Sequence, residues 1–158
     1  GLRLYRPKEV LKITVELLSK ARSAETSVFH LQNEGGPGDP DQRGTEGWKI
    51  TPAITPKEGD VVIPKCNPDG FHETSLEYEL DKAGVKRVVV VGMQSELCID
   101  ATCRSAHTRG FEVTLVEDGH TTFDGDNKTA FEIVESCNNG LMEIADLKPA
   151  AIIEFSAT

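Results

Sequence analysis

Apolar residues recur early in the chain at a helical period. Val10, Ile13, Leu17, Leu18 and Ala21 fall on one stripe of a 3.6-residue repeat behind Pro7, a residue suited to a helix's first turn. A first helix over about Pro7 to Arg22 is expected. Ser27 to Leu31 holds Val28, Phe29 and Leu31 and reads as a short strand, and Asn33 to Asp41, rich in Gly, Pro and Asp, reads as a long loop. Val61 to Ile63 is a β-branched run that stops at Pro64 and Lys65 before the polar turn Asn67-Pro68-Asp69-Gly70, which fits a strand exit. Leu76, Leu80 and Ala83 then mark a helix closed by Gly84. Val88 to Val91 follows as an unbroken β-branched run, the pattern of a parallel central strand covered on both faces.

The second half repeats this alternation. A helix from about Cys98 to Arg109 ends at Gly110, and Glu112 to Val116 reads as a strand. Asp126 or Asn127 is the expected cap of a helix carrying Ala130, Phe131 and Val134, and Ala151 to Phe155 is the expected last strand. Strands separated by helices of this length predict right-handed βαβ units, hence a three-layer α/β/α fold with a doubly wound, mainly parallel, Rossmann-like sheet. No internal repeat or linker interrupts the pattern, so residues 1–158 are expected to form one domain.

Composition narrows the function. Apolar residues at 38% and charged residues at 27% are ordinary for a globular protein, and a net charge of −9 works against nucleic acid or an anionic membrane as partner. The densest apolar run, Val88 to Met93, falls far short of the roughly 20 residues of a membrane-spanning helix. No charged-then-apolar leader opens the chain, and a cytoplasmic location is expected. The four cysteines form no C-x-x-C pair and the four histidines are isolated, so neither a disulfide scaffold, a metal site nor a cofactor is expected.

In an open parallel sheet, reactive groups gather at the carboxyl ends of strands, and the turn Gly92-Met93-Gln94-Ser95-Glu96-Leu97-Cys98 directly follows the expected central strand. Cys98 then lies at a helix N-terminus, where unpaired backbone N–H groups and the helix dipole favour a thiolate. Lys65 ends a neighbouring strand, close enough in topology to stabilise that thiolate or an oxyanion. Cysteine is more often packing than nucleophile, and Cys66, Cys103 and Cys137 are read as packing. His120, in Gly119-His-Thr-Thr-Phe-Asp124, is read as structural, with Thr121 and Thr122 ordering the crevice wall by hydrogen bonds.

The stretch Val88-Val-Val-Val-Gly-Met-Gln-Ser-Glu-Leu-Cys98-Ile-Asp-Ala-Thr102 resembles the isochorismatase-like cysteine hydrolase superfamily, as do Pro64-Lys65, Phe71, Thr74, Leu76, Ala106, Gly110 and Val116-Glu-Asp118. The resemblance implies a Cys-Lys-Asp triad in which Cys98 is the nucleophile and Lys65 its lysine. It also implies a cis peptide at Met93–Gln94, an oxyanion hole built from the N–H groups of Gln94 and Cys98, and aromatic groups, Trp48 and Phe71, lining the pocket. The implied reaction is cleavage of an amide-type C–N bond of a small molecule through an acyl-enzyme, in a protein that forms homo-oligomers.

The aspartate of the triad has no match. In the family it ends a first strand in a pattern like Asp-x-Gln, whereas Gly1-Leu-Arg-Leu-Tyr here stands almost directly before the first helix, and Asp39 and Asp41 lie in the loop after the next strand. The expectation is an N-terminally incomplete domain without that strand. The alternative is a catalytically inactive relative acting as a small-molecule binding or scaffold protein. Isochorismatase-type ether hydrolysis is a further option within the family, but that branch lacks the nucleophilic cysteine. A nicotinamidase is disfavoured because Asn33 to Trp48 contains no histidine for its metal site.

Overall fold

The computed structural model describes residues 3–158. Gly1 and Leu2, on which the expectation of an absent first strand partly rests, lie outside the described residues.

Helix α1 spans Pro7–Ser23, with Pro7 in its first turn as expected. Strand β1 is Phe29–Asn33 and β2 is Val61–Lys65, paired in parallel from Phe29↔Val61 to Asn33↔Lys65. The β2 ladder ends at Lys65, as expected, and includes Pro64, because among the described residues β2 has only β1 as a neighbour and a proline is tolerated on such an edge. Helix α2 is Leu76–Lys82, and Gly84 behind it takes a left-handed φ of 72° that a Cβ would penalise.

The remaining strands, β3 (Arg87–Met93), β4 (Glu112–Thr121) and β5 (Asp146–Lys148), form a second parallel sheet in the order β3-β4-β5. Side chains alternate across it. Val88 and Val90 join Val113, Leu115, Leu76, Leu80, Cys103, Ala106, Cys137 and Leu141 in the larger core, while Val89 and Val91 join Leu17, Val116 and Ile153 beneath α1. Helix α1 thus covers one face, and α2, α3 (Asp100–Thr108) and α4 (Ala130–Leu141) the other, giving the expected three layers. Residues of β1 and β2 pack on the same larger core through Phe29, Leu31, Val61 and Ile63.

Several expectations need correction. Val88–Val91 are only half-buried, because among the described residues β3 has a strand partner on one side only; the fully covered strand is β4. β4 also runs five residues beyond Val116. Val90 pairs with Leu115 but Gly92 pairs with His120, so the stretch Val116–Gly119 bulges opposite Val91 alone. Such a bulge breaks the period-2 pattern that reading a strand from sequence relies on. Helix α4 is capped by Thr129 in a capping box with Glu132, not by Asp126 or Asn127; Asp124 instead accepts from the Ala130 N–H at 2.7 Å. The last strand is Asp146–Lys148, whereas Ala150–Ile152 is a 3-10 turn held by Asp118, which accepts from the Ala150 N–H.

Candidate active site

Three strand ends converge. β1 delivers Asn33, β2 delivers Lys65, and β3 leads through the cis peptide Met93–Gln94 into a helical segment that begins as a π turn over Ser95–Ile99 and continues as α3. Cys98 lies in the first turn of that segment and is half-buried. A π turn is an uncommon element that recurs at functional sites, because its extra residue re-aims the side chains it carries.

Lys65 Nζ lies 3.3 Å from Cys98 Sγ and donates at 3.0 Å to both Asn33 Oδ1 and the Asn67 carbonyl. Three N–H bonds are thereby matched to three acceptors on a lysine that is only 5% exposed. Burying a cation is costly unless hydrogen bonds and an opposite charge offset the loss of water, and the one bonded acceptor able to carry a full negative charge is the thiol of Cys98.

The turn that closes this arrangement is latched from both sides. Asn67 accepts from the Asp69 N–H at 3.0 Å, Thr102 accepts from the Gly70 N–H at 3.0 Å, and Ser105 donates to Asp69 at 2.9 Å. A Cβ on Gly70 would sit 2.6 Å from Leu31 Cδ1 and 3.2 Å from Thr102 Oγ1, so a side chain there would have to displace Leu31. The exit of β2 is therefore fastened to the helix that follows the cysteine, which fixes Lys65 against Cys98. The Asn-Pro-Asp-Gly signal was legible as a turn, but its bonds to Thr102 and Ser105 span more than thirty positions in sequence.

Behind the cysteine, His120 is 2% exposed and bridges Ser95 Oγ at 2.7 Å and Asn138 Oδ1 at 2.8 Å. Asn138 donates its amide to the Glu117 carbonyl, so its oxygen faces His120; the ring proton therefore lies on Nε2, and Nδ1 accepts from Ser95. Burial holds His120 below the usual histidine range, against the opposing pull of Asn138 and nearby carboxylates. This neutral imidazole ties the π turn to β4 and α4. Thr122 donates to Glu96 at 2.8 Å, and Thr121 bonds the Tyr5 carbonyl, so the Gly119–Asp124 segment braces this wall.

The other expected residues fall differently. Phe71 turns into the core, 5.9 Å from Phe111, with the Arg109 guanidinium over its ring. Trp48 is half-buried, its carbonyl held by Gln32 and its indole N–H without an acceptor among the described residues. Neither lines the 290 Å³ crevice beside Lys65, which is bounded by Glu34, Pro64, Cys66, Asn67, His72 and Glu73. The N–H of Gln94 meets no acceptor among the described residues, while its carbonyl accepts from the Leu97 and Ile99 N–H groups at 3.2 Å. Cys103 and Cys137 are buried, and burial pushes both thiols up to about 12; Cys66 is exposed at the crevice rim rather than packed. Among the described residues no helix is long and apolar enough to cross a membrane.

Comparison with known proteins adds to this geometry. The Isochorismatase domain model matches residues 3–146. Streptothricin hydrolase from Streptomyces noursei is 44% identical over 115 residues, which is 73% of this chain and 46% of that protein. Ureidoacrylate amidohydrolase from Methylorubrum extorquens is 26% identical, over 70% of this chain and 57% of that protein. A crystal structure of an isochorismatase-family protein from Chromobacterium violaceum superposes with a TM-score of 0.89 at 27% identity, covering 94% of this chain and 80% of that one. The chain spans about half the length of the curated relatives it matches.

Proposed function

Because this chain belongs to the isochorismatase family, we propose that it hydrolyses an amide-type C–N bond of a small molecule, with Cys98 as nucleophile and Lys65 as its partner. The observation that carries the proposal is the 3.3 Å contact between a buried ammonium and the thiol in the first turn of a helical segment. Similarity to a streptothricin hydrolase and to a ureidoacrylate amidohydrolase favours the amide-type reaction over ether hydrolysis.

In this reading Lys65 holds the charge of the Cys98 thiolate before attack, and as the sulfur adds to the substrate carbonyl the N–H groups of Gln94 and Cys98 hold the charge that passes to the oxygen. As the C–N bond breaks, the leaving nitrogen takes up the proton that the Cys98 thiol gave to the general base on ionising; that base then takes a proton from the water that cleaves the thioester, which releases the acid and returns the thiolate. The resemblance assigns the base for that water to an aspartate on a strand preceding α1. Among the described residues β1 and β3 each have one edge without a strand partner, and such an edge offers hydrogen-bonding groups to a further strand.

A second reading, a small-molecule binding protein without turnover, is favoured by one observation: among the described residues no carboxylate bonds Lys65 or Cys98 directly. A panel of small amides, lactams and carbamoyl compounds separates the two. Turnover abolished by Cys98→Ala supports the hydrolase, turnover retained by that variant removes the assignment, and saturable binding without turnover supports the second reading.

A further inference from the structure

We infer that Asn33 and Asp41 are positioning residues, which aim the Lys65 ammonium at Cys98 through a loop folded back over the end of β1. This goes beyond the family triad and rests on the Lys65–Cys98 pair, not on turnover.

Two of the three acceptors of Lys65 are a backbone carbonyl and the sulfur itself, and the third is the side-chain oxygen of Asn33 at 3.0 Å. An asparagine amide offers an acceptor or a donor depending on which way it is turned. Here the amide nitrogen donates to Asp41 Oδ2 at 2.5 Å, so the oxygen is the end presented to lysine. Turning the amide over would set NH2 against an ammonium and oxygen against a carboxylate, two repulsive contacts in place of two bonds. Asp41 therefore selects the orientation of Asn33, and Asn33 holds one of the three N–H groups of Lys65.

The intervening loop is shaped to deliver Asp41. The Gly35 N–H donates to the Asp41 carbonyl at 3.0 Å, Gly36 to Asp39 at 2.7 Å and Gly38 to Gln42 at 2.8 Å. A Cβ on Gly35 would fall 2.1 Å from Asp41 Oδ1 and 2.8 Å from Asp39 Cβ, so position 35 admits no side chain while the carboxylate is in place. The glycine at position 35 is thus a packing requirement of the relay.

The four cysteines provide the assay. Full-length protein is treated with iodoacetamide at pH 7, and peptide mass spectrometry follows each thiol: Cys98 as reporter, exposed Cys66 as internal reference, buried Cys103 and Cys137 as sentinels of unfolding. Asn33→Leu, Asp41→Ala and Gly35→Ala are expected to lower the Cys98:Cys66 rate ratio by about tenfold, the effect of losing one hydrogen bond to a charged group. Cys103 and Cys137 should stay protected. Asp41→Asn retains an oxygen acceptor and should stay within about twofold of the parent ratio. Asn33→Ser, which adds no apolar bulk, is read beside Asn33→Leu and must show the same fall.

An unchanged ratio in Asn33→Ser and Asp41→Ala overturns the inference. So does an Asp41→Asn ratio as low as that of Asp41→Ala, or a fall seen only where the buried cysteines also react. Because the readout is thiol reactivity, failure of the hydrolase reading would leave this result intact.

Discussion

Lys65 meets Cys98 only if the β1–β2 pair is held firmly against the rest of the fold, and a charged cluster at the opposite end of those strands contributes to this. Asp60, just before β2, accepts from Arg22 at 2.5 Å, from His30 near the start of β1 at 2.9 Å and from the Lys57 N–H at 3.0 Å. Its side chain is 5% exposed and that of Arg22 22% exposed, so solvent screens the pair only partly. Burial alone would raise the Asp60 carboxyl, but the bonds from Arg22, Lys57 and His30 outweigh it and bring the group from 3.8 down to about 2. A depressed carboxyl stabilises the fold above its unfolded value, and the contribution is lost as pH falls through its folded one. The shift corresponds to about 2 kcal/mol at neutral pH, of which about half is gone by pH 3. Asp60→Asn removes the titration while keeping an oxygen acceptor. Urea unfolding at pH 7 and pH 3 should therefore show the gap between parent and variant narrowing by about 1 kcal/mol at the lower pH. A gap that is constant, or that widens toward acid, would mean that the ionised Asp60 carboxylate is not what stabilises this cluster.

Two further substitutions probe the walls of the site. His120→Leu leaves the buried Ser95 hydroxyl and the Asn138 side-chain oxygen without partners, while the Asn138 amide keeps the Glu117 carbonyl, and urea unfolding should show a loss of about 2–4 kcal/mol; a change under about 0.5 kcal/mol would mean the bridge is not structural. Gly119→Ala places a Cβ 2.8–2.9 Å from Val116 and Val91 inside the β4 bulge, where backbone-anchored atoms cannot move aside, and should cost about 2–3 kcal/mol in the same assay.

Much of the site was legible before the structure because its chemistry sits where periodic elements end. Val61–Ile63 and Val88–Val91 are short β-branched runs, and a parallel sheet brings the carboxyl ends of their strands together, so Lys65 and Cys98 could be paired from pattern and resemblance. What escaped is carried by aperiodic chain. Asn33 and Asp41 meet across a loop whose bonds depend on one missing Cβ at Gly35, and no hydrophobic period encodes that return. Asp41 was set aside for its place in the sequence, although its side chain reaches the site through Asn33. The burial of β3 was overstated because a run of four valines looks the same with two strand neighbours or with one. The resemblance implied a pocket position for Phe71, but an aromatic residue on a loop carries no signal of direction, and in the fold it stacks inward on Phe111.

The proposed nucleophile is Cys98, held by Lys65. Its role is checked by exposing the full chain to an activated ester such as 4-nitrophenyl acetate and mapping the acyl group by peptide mass spectrometry, in the parent and in Lys65→Met. Acylation is expected at Cys98 ahead of the more exposed Cys66, slowed at least about tenfold in Lys65→Met by loss of the charge-assisted bond. Acylation centred on Cys66, or Cys98 labelling indifferent to Lys65, would contradict it.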